Sequence, residues 1–162
     1  MALKRGFSLI ELIVVIGLLS LLMLAISSTM LMSIVSSNRI RTVTKVKQGG
    51  GYAIGQIQRM IRSSKSITTC DTITPTISLV GQDGGTTEIL TESDGTNVRI
   101  ASNSGMYLTP ANMEISAFTI SCEPTSAEPT LIKFAFDLRD TKSTQGIQNP
   151  SLHFETSVNT RN

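Results

Sequence analysis

Residues 4–35 read KRGFSLIELIVVIGLLSLLMLAISSTMLMSIV. After the basic pair Lys4 and Arg5, Glu11 is the only charged side chain in residues 7–35, and the run contains no proline. About 20 helical residues cross a hydrocarbon core of about 30 Å, so this run predicts one membrane-spanning helix. It is longer than the roughly 7–15-residue core of a secretory signal peptide, and no small-residue cleavage site follows it. We therefore expect the run to stay in the membrane as an anchor.

The charges near this run bear on its orientation and on its partners. Lys4 and Arg5 favour a cytoplasmic N-terminus, but the basic residues beyond residue 35 are more numerous and compete with them. Charge alone therefore leaves the orientation open. A carboxylate at mid-membrane costs about 2.5–3.5 kcal/mol. Glu11 either reaches the interface, because it is near one end of the run, or has a functional partner.

The order of residues at the start of the chain is specific. A basic pair, Gly6, Phe7, a hydroxyl residue, two aliphatic residues and Glu11 precede the apolar run. This order resembles the class III signal of type IV pilins and type II secretion pseudopilins. The resemblance implies that a membrane-embedded prepilin peptidase cuts between Gly6 and Phe7 and N-methylates Phe7. It also implies that Glu11 pairs with the Phe7 amine of an adjacent subunit during assembly.

The resemblance implies a function as well as a processing site. It predicts a structural subunit of a type IV-like filament, serving protein secretion or pilus assembly, and no enzyme. The implied partners are the peptidase, other pilin or pseudopilin subunits, the bilayer before assembly, and an inner-membrane platform driven by a separate ATPase. The subunit would cross the bacterial cytoplasmic membrane once, with its C-terminal domain outside, and then enter a periplasmic or extracellular filament. Residues 55–64 and 108–118 resemble segments of J- or W-type minor subunits.

Two other functions remain alternatives at this point. One is a minor pilin for competence, that is DNA uptake, or for adhesion. The other is a plain bitopic membrane protein, which predicts no processing after Gly6. The chain contains no tryptophan and only 4% aromatic residues, and this low aromatic content argues against a base-stacking surface for nucleic acid.

Charge divides the chain into two halves. Residues 1–65 carry nine basic groups and one acid, whereas residues 66–162 carry five basic groups and eleven acids. Seven of the basic groups lie between Arg39 and Lys65 with no acid among them. We expect these seven to face the acidic half of the same chain or of a neighbour. Phospholipid head groups and DNA are the other candidates, and nucleic acid is the least favoured.

Helical periodicity continues beyond the apolar run. Apolar residues at helical spacing predict one helix over residues 8–64, in which residues 36–65 form an amphipathic continuation. Gly49-Gly50-Gly51 interrupts this pattern, since each interior glycine costs about 1 kcal/mol against alanine. We expect a break at residues 49–51, acting either as a hinge or as a simple helix end, or close packing of these glycines against a sheet.

The remaining residues, 66–162, contain short β-prone runs rich in threonine, isoleucine and valine, separated in part by two strong hairpin signals at residues 82–85 and 93–95. Residues 131–138 and 151–158 also alternate in the manner of strands with one buried face. They predict a globular antiparallel domain. Together with the cleaved leader, 1–6, and the membrane or filament-core helix, 7–35, this gives an α+β chain whose long helix packs on a twisted antiparallel β-sheet. The predicted strands are residues 76–80, 86–91, 97–101, 115–121, 131–138 and 151–158.

Few residues suggest other chemistry. Cys70 and Cys122 both fall in the exported region, which favours a disulfide over two buried thiols. Asp83, Glu92 and Asp94 lie in or beside turns and are weak candidates for calcium ligands. We otherwise expect no cofactor, because the single histidine excludes a multi-histidine metal site. No P-loop is present, and nothing in the sequence places the histidine beside a cysteine.

Overall fold

The computed structural model describes residues 8–103, 105–124, 131–142 and 150–160. It confirms the α+β class, with a helix α1 at Leu9–Ser63 followed by short strands that all pair antiparallel. The chain divides into two compact units, Met1–Arg41 and Thr42–Asn162. The strands are β1 Ser66–Asp71, β2 Thr76–Val80, β3 Thr86–Ser93, β4 Val98–Ser102, β5 Met106–Tyr107, β6 Met113–Glu123, β7 Leu131–Asp140 and β8 Leu152–Asn159.

Within the second unit, α1 buries one stripe of side chains. Val46, Ala53, Ile57 and Ile61 are almost completely buried. They are spaced four or seven residues apart, which is about one or two helical turns, and so they lie on one face of the helix. Gly49 and Gly50 lie on the same buried face. The apolar stripe of the amphipathic pattern beyond residue 42 is therefore the face of α1 that packs in the core.

The expected break at residues 49–51 is absent, because α1 runs through this segment without interruption. Gly49 and Gly50 are needed for close packing instead. A Cβ at position 49 would lie 2.5 Å from the Met113 sulfur, and a Cβ at position 50 would overlap the ring of Phe154. Packing of the helix against β6 and β8 thus offsets the low helix propensity of these two glycines.

The strands form two sheets rather than the single sheet that the sequence suggested. One has the order β1-β2-β3-β4-β5 and the other the order β6-β7-β8. All six predicted strands are present, whereas β1 and the two-residue β5 were not predicted. The two sheets and the helix share one core, to which Ile61, Ile89 and Phe136 contribute from the three parts.

A disulfide and a bulge shape the boundary between the sheets. Cys70 near the end of β1 is bonded to Cys122 near the end of β6, so the bond joins one sheet to the other. The register of β6 against β7 shifts between Ser116 and Thr119, and Ala117 has a positive φ of 53° there. The bulge bends β6, as such insertions do.

Candidate functional site

The N-terminal part of α1 begins at a defined residue. The Ser8 carbonyl accepts hydrogen bonds from the backbone N–H groups of Glu11 at 3.0 Å and Leu12 at 3.2 Å. Glu11 therefore lies in the first helical turn, where the aligned peptide dipoles favour a negative charge.

The surface of this segment is apolar and uncovered. Every described residue from Ser8 to Arg41 is exposed, including large aliphatic side chains such as Leu9 at 76% and Leu24 at 69%. Among the described residues, α1 is the one helix long and apolar enough to cross a membrane. An apolar surface of this size in a soluble monomer would be a liability. It requires lipid or other chains around it.

The polar groups within the apolar run are mostly satisfied by the helix itself. The hydroxyls of Ser20, Ser27, Ser28 and Thr29 each donate to a backbone carbonyl of the preceding turn at 2.8–2.9 Å. This bonding removes most of the desolvation cost of a hydroxyl in an apolar medium. Glu11 differs, since no side chain in the described part of the chain pairs with its carboxylate.

Comparison with known families decides the nature of this segment. Residues 1–27 match the family model described as the prokaryotic N-terminal methylation motif. The chain carries a class III prepilin signal. The match ends within the apolar run, so the prepilin signal alone is shared, and the J- or W-type resemblance stays a prediction. The chain has no significant match among curated proteins or among solved structures.

Of the residues predicted to act in the prepilin signal, the structure places only one. Gly6 and Phe7 lie outside the described residues, so the cleavage and methylation positions remain predictions. Glu11 is exposed on the first turn of α1. It is therefore accessible to a second molecule.

The basic groups of α1, and that of Lys65 two residues beyond its end, are also accessible. All seven, from Arg39 to Lys65, are exposed, and none forms a salt bridge with an acid in the described ranges. Pairing with the acidic half of the same chain is thus not what this structure shows. These groups are Arg39, Arg41, Lys45, Lys47, Arg59, Arg62 and Lys65.

The three weak calcium candidates do not converge. Asp83 precedes β3 and Asp94 follows it, so the eight residues of β3 separate them by roughly 25 Å. The Asp83 carboxylate accepts the Gly85 N–H at 3.1 Å, which is turn chemistry. No group of three His, Cys, Asp or Glu side chains suited to a metal occurs in the part of the chain that the structure describes.

Hydrogen bonds within the turn that contains Asp94, between β3 and β4, stabilise that turn. Asp94 Oδ1 accepts the N–H groups of Asn97 at 2.8 Å and Thr96 at 3.0 Å, and these bonds lower the pKa of Asp94. Its other oxygen lies 3.3 Å from Arg99 Nη1. Glu92 is exposed in β3. The Asp94 carboxylate therefore stabilises the β3–β4 turn.

Nucleophilic chemistry has no support in this arrangement. Both cysteine sulfurs are joined in the Cys70–Cys122 disulfide. His153 Nδ1 lies 2.7 Å from Asp137 Oδ1 on the exposed face of the β7–β8 pair. The prepilin signal indicates a structural subunit rather than an enzyme.

Two features of the folded domain were missed by sequence analysis. Arg99 is buried, stacks 4.0 Å above the Tyr107 ring and donates to the Thr109 carbonyl, which holds residues 107–109 against β4. Nothing in the sequence marks this arginine, because a lone basic residue in a strand is usually exposed. Ile73 is 91% exposed in the β1–β2 turn. The sequence Asp71-Thr-Ile-Thr-Pro75 contains the Asx-turn signal that could have identified it.

Proposed function

We propose that this chain is a structural subunit of a type IV-like filament, serving protein secretion or pilus assembly. It is cut after Gly6 by a prepilin peptidase and N-methylated at Phe7. One observation carries the proposal. The prepilin signal at residues 1–27 continues into the first part of α1, where every residue from 8 to 41 is exposed and the single carboxylate, on Glu11, has no partner among the described residues.

The assembly mechanism follows from the cost of charge in an apolar medium. Before assembly, residues 7–35 hold the subunit in the cytoplasmic membrane as a single-pass anchor, with the globular domain outside. The Phe7 amine and the Glu11 carboxylate are each expensive in lipid. When the Glu11 carboxylate of one subunit meets the Phe7 amine of its neighbour, the two charges compensate each other. The pair therefore favours assembly on an inner-membrane platform and sets the register between subunits.

Processing is the first test. The full chain is produced with an active prepilin peptidase or with an inactive variant, and its intact mass and N-terminal sequence are determined. We expect a chain that begins with N-methylated Phe7 only when the peptidase is active. An unprocessed chain in both cases, while a control prepilin is cut, would leave a plain bitopic anchor.

A charge-neutral variant separates processing from assembly. We expect Glu11→Gln to be processed normally but to enter filaments poorly, because the amide keeps the shape of the side chain and removes its charge. Leu12→Val is the matched control, since it changes a neighbouring helical residue and leaves the carboxylate. Equal incorporation of both variants into filaments would contradict the proposed role of Glu11.

The position in the filament is a finer part of the proposal. We assign the chain to the minor subunits, on the resemblance of residues 55–64 and 108–118 to J- and W-type segments. The second candidate function is a competence or adhesive minor pilin. The exposure of all seven basic groups of residues 39–65 favours it. Salt-dependent binding of duplex DNA by the full chain in detergent, lost on Arg59→Glu, would support that candidate.

A further inference from the structure

The β1–β2 turn presents an apolar side chain to solvent. Ile73 is 91% exposed, more than any other large hydrophobic residue described beyond the first unit. Asp71 holds the turn, since its Oδ1 accepts the N–H groups of Ile73 at 2.8 Å and Thr74 at 3.3 Å, and its Oδ2 accepts the Thr74 hydroxyl. Ile73 thus sits on a preorganised turn, which reduces the entropy lost on docking.

Two carboxylates, those of Asp71 and Glu92, lie at the same end of the sheet as this side chain. Residues 66–98 contain five acids and no lysine or arginine. Strand β3 extends past the start of β2, because Ile77 pairs with Ile89, and so Glu92 lies at the same end of the sheet as the β1–β2 turn. Arg99 lies opposite Glu92 in the β3–β4 ladder but pairs with Asp94, and among the described residues neither Asp71 nor Glu92 forms a salt bridge. We call Asp71, Ile73 and Glu92 the acidic knob.

A hollow of opposite charge lies on α1. Gly55, Gln58, Arg59, Arg62 and Ser63 line a shallow depression that is open to solvent and has a volume of about 390 Å³, which we call the basic hollow. Arg62 also lines a second open depression, of about 520 Å³, beside the end of β8. Arg59 and Arg62 are exposed and form no salt bridge with a described acid.

Gly55 has no role inside the subunit that the structure reveals. A Cβ at this position would meet nothing within 4 Å, unlike at Gly49 and Gly50, where the core leaves no room. An interior helical glycine lowers helix stability, so the fold of one chain does not explain Gly55. The missing side chain keeps the floor of the basic hollow open.

The two features do not satisfy each other within one chain. The Lys65 N–H donates to the Val80 carbonyl at 2.7 Å, and Gln82 Nε2 lies 3.4 Å from the Ser63 carbonyl. The C-terminal end of α1 therefore meets the Val80 end of β2, whereas the acidic knob lies at the Thr76 end. Each feature is left available to another molecule.

We propose that the acidic knob of one copy docks in the basic hollow of the next, with Ile73 over Gly55 and the carboxylates on Arg59 and Arg62. The contact joins two different surfaces, so it is heterologous, which is the kind of contact that can propagate from copy to copy in a filament. A second copy fits better than nucleic acid, because this chain itself carries the complementary charge and an apolar side chain for the hollow. The contact rests on the proposed filament function and adds a second interface to the N-terminal helix.

Disulfide crosslinking tests the contact in the full chain. Two differently tagged copies are produced together with a prepilin peptidase, one carrying Gly55→Cys and the other Ile73→Cys, and their membranes are oxidised mildly. We expect a mixed dimer at a yield at least about tenfold above that of a matched pair in which Thr119→Cys replaces Ile73→Cys. Thr119 is also exposed, but it lies on β6 of the other sheet.

Charge exchange provides a second, independent readout. Arg59→Glu together with Arg62→Glu in the Gly55→Cys copy should reduce the mixed dimer by about tenfold, and Glu92→Lys in the other copy should restore part of it. Protease resistance of each variant checks its fold. Equal yields for the Ile73 and Thr119 pairs would overturn the contact, as would loss of DNA binding by the arginine variants with crosslinking unchanged.

The same samples separate this proposal from the proposed function. Processing after Gly6 is scored by mass, whereas the contact is scored by crosslinking. A processed chain without the mixed dimer leaves the filament function standing and overturns the contact. An unprocessed chain overturns the filament function, and with it the role assigned to the contact.

Discussion

Alanine substitution should stabilise the protein at one of two adjacent glycines, Gly51, but not at the other, Gly50. Gly50 and Gly51 are both interior residues of α1, so replacing either with alanine gains about 1 kcal/mol of helix propensity. Both replacements also lower the entropy of the unfolded chain equally. A Cβ at Gly51 meets nothing within 4 Å, whereas a Cβ at Gly50 overlaps the ring of Phe154. Their difference therefore isolates one steric term.

The magnitude of that term depends on how freely Phe154 can move. Its ring stacks on Phe136 with the centroids 5.3 Å apart, and Phe136 is fully buried. The ring must therefore rotate outward and lose the stacking contact, worth about 0.5–1.5 kcal/mol. Overpacking of this kind costs about 1–3 kcal/mol in total. Gly51→Ala should be stabilised by about 1 kcal/mol, and Gly50→Ala should be about 1–3 kcal/mol less stable than Gly51→Ala.

Calorimetric unfolding of the full chain in detergent, with the disulfide intact, measures this difference. At roughly 4 °C per kcal/mol, the two midpoints should differ by about 4–12 °C. Adding Phe154→Leu to Gly50→Ala should recover part of the loss, because leucine frees the space that the ring occupies. If Gly50→Ala proves as stable as Gly51→Ala, the Phe154 ring moves aside at little cost, and the contact does not require a glycine at position 50.

Three further predictions concern the globular domain. Replacing Cys70 and Cys122 together by serine should lower the unfolding free energy by up to about 4 kcal/mol, because the bond closes a loop across a sequence separation of 52; an unchanged urea midpoint would contradict this. Ala117→Gly should stabilise the protein by about 0.5–1 kcal/mol, because φ at this residue is 53°, a conformation that favours glycine. The control Ala135→Gly, in β7, should destabilise the protein. Thermal midpoints that fall for both variants would show that Ala117 is not strained. Hydrogen bonds from the Thr74 hydroxyl and from two backbone N–H groups lower the pKa of Asp71 below 3.8. The β1–β2 turn should be fully protected at neutral pH and lose protection as the pH falls below about 3.8, measured by amide exchange, and Asp71→Ala should abolish that pH dependence.

Local patterns in the sequence account for much of the architecture. The predicted helix over residues 8–64 and the observed Leu9–Ser63 differ by one residue at each end. Helix periodicity is a property of neighbouring residues, and so is the β-prone composition that located β2 to its exact bounds. The same holds for the prepilin signal, which is a linear motif read by a peptidase. Its match to residues 1–27 required no tertiary structure.

The sequence alone did not reveal the role of residues whose contacts lie far away in the chain. Gly49, Gly50, Gly51 and Gly55 look alike in the chain and all predict a weak helix. Only the fold separates the two that face Met113 and Phe154, more than 60 residues away, from the two that face open space. The predicted break failed because a packing contact outweighs the intrinsic propensity of a short segment.

The partition of the strands and the distribution of charge are likewise tertiary. Alternation shows that a strand has a buried face, but it does not show which strand lies beside it. The same sequence pattern is therefore compatible with one sheet and with two. Charge counts showed a basic half and an acidic half, yet the absence of pairing between them in the described residues required coordinates. Secondary structure arises from residues close in the chain. Sheet pairing, the role of each glycine and the position of each charge arise from contacts between residues far apart in it.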